Sequence, residues 1–112
     1  MASTNNISIK AAEISINKFN EQINQKVKML KNFRSNSEKF MAMKNYTQLN
    51  KEQINSNRVV KQLKTLLIEI DHLKSKVNSS DHDKFEKLTS QRRNEALNEI
   101  KEHLGKFHNL IF

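Results

Sequence analysis

Across 112 residues the chain has no proline and a single glycine, Gly105. Tight turns are made largely from these two: glycine supplies positive φ at no steric cost, and proline presets φ for the first turn position. A β-sandwich or barrel needs such turns repeatedly, and a nucleotide-binding fold needs a glycine-rich loop to cradle phosphates. Neither can be assembled from this sequence. What stays open is a few long helices with few connections, an all-α fold. A chain this short buries only about two-thirds of its unfolded surface, which leaves one domain and no deep catalytic cleft.

The apolar pattern points the same way. Ile9, Ala12, Ile16, Phe19, Ile23, Val27, Leu30 and Phe33 recur at steps of three and four, and Phe40 and Met41 follow a polar gap at Ser35-Asn36-Ser37. That spacing lays one stripe along a helix. A second stripe runs through Leu49, Val59, Val60, Leu63, Leu66, Leu67, Ile70, Leu73 and Val77, closed by Asn78-Ser79-Ser80. Gln53, Ser56 and Asn57 interrupt its first half, where looser packing is expected. A third begins at Ser80-Asp81-His82-Asp83, which resembles a capping box. It continues through Phe85, Leu88, Ala96, Leu97, Ile100, Leu104, Phe107, Leu110 and Ile111.

Helices over about 7–42, 46–78 and 82–111, joined by short connections, predict an antiparallel up-down-up three-helix bundle. The first turn is placed at 42–46, with Ser35-Asn36-Ser37-Glu38 as the competing break. Helices of about thirty residues give a rod roughly 45–50 Å long. The expected core sets Leu63, Leu67, Ile70 and Leu73 against Ile16, Phe19, Ile23, Leu97, Ile100 and Leu104. Fifteen asparagines lower intrinsic helix propensity, by a few tenths of a kcal/mol each, so packing must decide.

No residue pattern calls for catalysis. Absence of cysteine removes disulfides, thiolate nucleophiles and Cys-based zinc sites. His103 and His108 are five apart, about 140° around a helix, and so do not share a ligand face. Glu99 and His103 do share one, yet two ligands without a third read as an ordinary helix-surface pair. Asp81 and Asp83 flank His82 at a helix start, where the dipole favours acids and capping is the expected role. Met29, Met41 and Met43 read as gap fillers. No metal, cofactor or enzymatic activity is expected. No run approaches the roughly 18–20 apolar residues of a membrane span, and Met1–Asn6 has neither a basic n-region nor an apolar h-region.

Charge is uneven. The net charge is +8; residues 1–45 hold eight basic and three acidic residues, 46–80 hold six and three, and 81–112 hold six of each. The excess therefore sits on the first two helices, either as a solvated surface or as a docking face for an acidic partner, nucleic acid or anionic lipid. Nucleic acid is disfavoured. Lysine and arginine alternate with glutamate, and most of the six phenylalanines lie on core stripes instead of on a stacking platform.

The second helix carries a family resemblance. Leu49, Ile54-Asn55, Arg58, Val60, Gln62-Leu63, Glu69-Ile70, Leu73 and Lys76-Val77 resemble the middle helix of the N-terminal domain of the syntaxin 17 group of Qa-type SNAREs. Glu38-Lys39-Phe40 and Tyr46 fit the same pattern, whereas the polar Ser35-Asn36-Ser37 departs from it. The resemblance covers about residues 18–78 and extends more weakly over the third helix.

It implies an Habc domain, the three-helix module that syntaxins carry ahead of their SNARE helix. The function implied is that of a regulatory N-terminal interaction domain in membrane fusion, of autophagosomes with lysosomes. The implied setting is the cytosolic face of autophagosome, endoplasmic reticulum or mitochondrial membranes, with the full-length protein membrane-anchored. Implied partners are SNARE proteins including its own SNARE helix, a tethering complex or a Sec1/Munc18-type protein, with the isolated domain monomeric. No stripe here sustains the heptads of a SNARE helix around a central glutamine, nor is there an anchor, so the chain is expected to be part of a longer protein. Arg58, Arg92 and Arg93 are the expected protein-binding residues, the last two at a groove rim. The alternative is a basic helical module for nucleic acid or anionic lipid. Sequence beyond residue 112 distinguishes the two, by a glutamine-centred heptad segment and a hydrophobic anchor.

Overall fold

The computed structural model describes residues 7–111, with side chains described through Gly105. Phe107, His108, Leu110 and Ile111 therefore contribute no side-chain statement. Helix α1 spans Ile9–Ala42, α2 spans Tyr46–Lys76 and α3 spans His82–Ile111, with a single 3₁₀ turn at Ser79–Asp81. The fold is an all-α three-helix bundle.

The α1–α2 connection explains how a chain without proline and almost without glycine turns. Asn45 N–H donates to Phe40 O at 2.8 Å and Lys44 N–H to Met41 O at 3.0 Å, the paired bonds of a Schellman cap. Lys44 occupies the left-handed position, φ 57°, that glycine usually fills. Asn45 then caps the next helix, its side chain accepting from Gln48 N–H at 3.2 Å. Of the two candidate breaks, the chain uses the later one. α1 runs unbroken through Ser35-Asn36-Ser37 because Ser37 is turned into the interior, 1% exposed, and tertiary packing overrides its weak propensity.

The other end is closed differently from the sequence expectation. Ile7 N–H donates to Lys76 O at 3.0 Å, and Asn78 N–H donates to Ile7 O at 2.8 Å. Ser80-Asp81-His82-Asp83 is not a capping box for α3. Asp81 instead accepts from Ile9 N–H at 3.1 Å, so its carboxylate serves the start of α1, beside Ser8, whose hydroxyl accepts from Ala11 N–H at 3.1 Å. An acid at a helix N-terminus is favoured by the dipole whichever element supplies it.

α1 is the central helix, packed along both others, while α2 and α3 approach each other over a shorter stretch. α1 and α3 run parallel, since Asn20 donates to Leu88 O, Arg92 to Asn24 and Arg34 pairs with Glu99 in ascending order. α2 runs antiparallel to both. The bundle measures 60 × 22 × 17 Å, longer than the expected rod. α1 has 34 residues and by itself accounts for about 51 Å, with the connections extending beyond its ends.

Ile16, Ile23, Leu63, Ile70 and Ile100 are buried, and Phe19, Leu67 and Leu73 are partly buried against them. Leu97 and Leu104 are not core: they are 50% and 49% exposed. α3 turns Phe85, Thr89, Ala96, Ile100 and His103 inward, a helical stripe that includes two polar residues. Thr89 is satisfied there because its hydroxyl donates to Phe85 O at 2.9 Å, which removes the cost of burying it. In the first half of α2, Ser56 is buried where the stripe lacks a large residue, its hydroxyl donating to Gln53 O at 3.0 Å.

Candidate functional site

Two of the three arginines singled out from sequence are engaged within the bundle. Arg92 donates to Asn24 on α1 at 3.3 Å and pairs with Glu95 at 2.9 Å. Arg93 reaches across to α2, 3.0 Å from Asp71, while also pairing with Glu86 at 3.3 Å. Lys74 of α2 completes this group by pairing with Glu86. The Lys74 hydrogen bond, supported by the Arg93 charge, holds the Glu86 carboxyl below its usual range against the opposing effect of burial. Arg92 and Arg93 are thus ties between helices and not free rim cations. Arg58 is exposed and lines a depression with Lys26 and Lys61.

The Arg93 tie locates a flank of α3. Leu97 follows Arg93 by four residues and Leu104 by eleven, so all three project toward the same side of the helix, the side facing α2. Below, that flank is fastened to α2. Above, it presents two half-exposed leucines. On α2, Lys64 and Ile68 lie seven and three residues before Asp71 and share its side of the helix; Ile68 is 69% exposed. The α2/α3 face therefore carries apolar side chains beside charged ones, without the contacts that would cover them.

Glu99 and His103 do not form the helix-surface pair expected from their spacing. They are buried, 5% and 1% exposed, with Arg34 of α1 paired to Glu99. Burial pushes the Glu99 carboxyl up, partly opposed by the Arg34 charge. Burial also drives the His103 imidazole down to about 4, helped by the same arginine. The signal available in sequence was the step of four from Ala96 to Ile100 and three on to His103, overlooked because histidine is not counted as apolar. Among the described residues no group of His, Cys, Asp and Glu could hold a metal ion. No helix among them is long and apolar enough to cross a membrane.

A bundle of this topology recurs with many functions, so the family has to come from comparison. The STX17-like N-terminal domain profile matches residues 10–107, which takes in nearly all of α1, α2 and α3. The chain belongs to that family. No curated protein and no solved structure matches it. The STX17-like domain is thereby a syntaxin-type SNARE regulatory domain, from a family that is not one of enzymes. Its sequence pattern on α2, with Arg58, Leu63 and Ile70, lies inside the matched range.

Proposed function

We propose that this domain controls when its parent syntaxin assembles, by holding a SNARE helix against the α2/α3 face, and that the process served is autophagosome–lysosome fusion. The observation that carries the first part is the pair of half-exposed leucines, Leu97 and Leu104, continuing the flank on which Arg93 fastens α3 to α2. Their seven-residue step equals one heptad, the repeat with which a SNARE helix presents its own apolar positions. Occupancy of this face would keep those heptads from zippering. Family membership supports the second part, together with tethering complexes and Sec1/Munc18-type proteins as further partners and the cytosolic face of autophagosome, endoplasmic reticulum or mitochondrial membranes as the setting.

The test is a calorimetric titration of the domain with the SNARE segment of its own full-length protein, with Sec1/Munc18-type and tethering partners in parallel. Leu97→Ser with Leu104→Ser should weaken SNARE-segment binding by about tenfold or more, as loss of two central apolar anchors does, with helicity unchanged. Unchanged affinity sinks the proposed face. Micromolar binding to duplex nucleic acid or anionic vesicles, with nothing from the SNARE segment, tether or Sec1/Munc18-type partner, replaces the reading by that of a basic surface module.

A further inference from the structure

The seam between α1 and α2 on the side away from α3 carries two adjoining depressions, of about 390 and 230 Å³, which share Glu69 as a wall. The larger is floored by Leu66 and edged by Lys26, Arg58 and Lys61. The smaller is floored by Phe19 and Leu73 and edged by Lys76. Leu66 and Leu73 are seven residues apart on α2, which sets the two floors about 10.5 Å apart along the axis. Among the described residues Lys26, Arg58 and Lys61 make no ion pair, unlike Arg34, Lys74, Arg92 and Arg93, which are all engaged inside the bundle. The seam lies on α1 and α2, which carry net charges of +4 and +3 out of the chain's +8.

We propose that the α1/α2 seam is a second docking surface, distinct from the α2/α3 face, for an acidic amphipathic helix of a partner protein. The two floors match apolar anchors at positions i and i+7 of a helix laid along the groove. The three unpaired cations at the larger depression select acidic residues beside the first anchor and speed encounter. Glu69, between the depressions, disfavours a polyphosphate backbone, which would have to run past it. A membrane surface is disfavoured by the concave shape, since lipid insertion uses a protruding apolar face. The seam faces away from Leu97 and Leu104, so it does not depend on the SNARE-helix reading and leaves both surfaces free to be occupied together.

The probe is a synthetic helical peptide with leucines at i and i+7 and glutamates flanking the first, compared with the same peptide carrying lysines for the glutamates. Each is titrated into isotopically labelled domain and followed by amide chemical shifts, beside a short DNA duplex and anionic vesicles. The acidic peptide should shift amides around Phe19, Lys26, Arg58, Leu66 and Leu73, and bind several-fold more weakly as salt rises from about 0.05 to 0.3 M and the Debye length shortens. Combined Lys26→Glu, Arg58→Glu and Lys61→Glu should weaken it by tenfold or more while helicity is kept, and should let the lysine peptide bind instead. Leu97→Ser with Leu104→Ser should leave it unchanged, which separates this surface from the SNARE-helix face. Equal binding of the two peptides, shifts elsewhere on the bundle, no binding at millimolar peptide, or tighter binding of duplex or vesicles would each overturn the proposal.

Discussion

Glu99 and His103, buried beside the half-buried Arg34, make the stability of this domain depend on pH. The His103 imidazole is held down to about 4 in the folded chain, against 6.5 when free. The unfolded chain therefore takes up a proton on this residue between those two values while the folded chain does not. Stability from His103 is fully present above pH 6.5 and is lost as pH falls toward 4. Applying linkage, about 2 kcal/mol is lost between pH 7.5 and pH 5. Glu99 works against this: its carboxyl is raised, so the folded chain is the better proton acceptor there, and its ionisation penalty is relieved as pH falls. The His103 figure is thus an upper limit for the wild-type chain. Urea unfolding followed by helical circular dichroism, with a slope of about 1.2 kcal/mol per M for a chain this size, should show the midpoint falling by up to about 1.5 M between those pH values. His103→Gln should flatten the dependence, and Glu99→Gln should steepen it whatever either does to absolute stability. A His103→Gln chain that keeps the wild-type dependence, or a Glu99→Gln chain whose midpoint stays constant or rises from pH 7.5 to 5, refutes the reasoning.

Ile70→Ala or Leu63→Ala, at fully buried positions, should each cost about 2–5 kcal/mol in the same urea assay. Leu97→Ala, half-exposed, should cost less than about 1 kcal/mol. Asp81→Ala should destabilise by about 1 kcal/mol, as loss of a helix N-cap does, and amide exchange should quicken at Ile9, whose N–H it receives. Lys44→Gly should stabilise by about 0.5–1 kcal/mol, because φ 57° strains any residue with a Cβ; a lowered midpoint would show that the Schellman turn is held otherwise.

The helices and their order were legible because the apolar steps of three and four recur over long stretches and because the second connection carries the turn-prone Asn78-Ser79-Ser80. The position of the first turn was legible from equal arm lengths, although its chemistry was not: a lysine in the left-handed position has no sequence signature. On α3 an apolar count misplaced the core. Thr89 and His103 belong to the inward stripe and Leu97 and Leu104 do not, a rotation that only α1's packing decides. Asp81 was legible as a cap but not as the cap of a helix that begins 72 residues earlier. Arg92 and Arg93 carried the right charge for a rim, yet acidic partners on α2 and α3 draw Arg93 inward. Arg58 has no such partner among the described residues, and its place beside Lys26 and Lys61 follows from how α1 lies against α2.

The most direct test of the α2/α3 face as the SNARE-helix site is an amide chemical-shift map of the labelled domain as the SNARE segment of its own full-length protein is added. The expected result is a continuous band of shifts from Arg93 through Leu97 to Leu104, with Lys64 and Ile68 on α2, saturating together at one affinity. Saturable shifts confined to the opposite seam at Phe19, Leu66 and Leu73, or no shifts at millimolar segment, would contradict it.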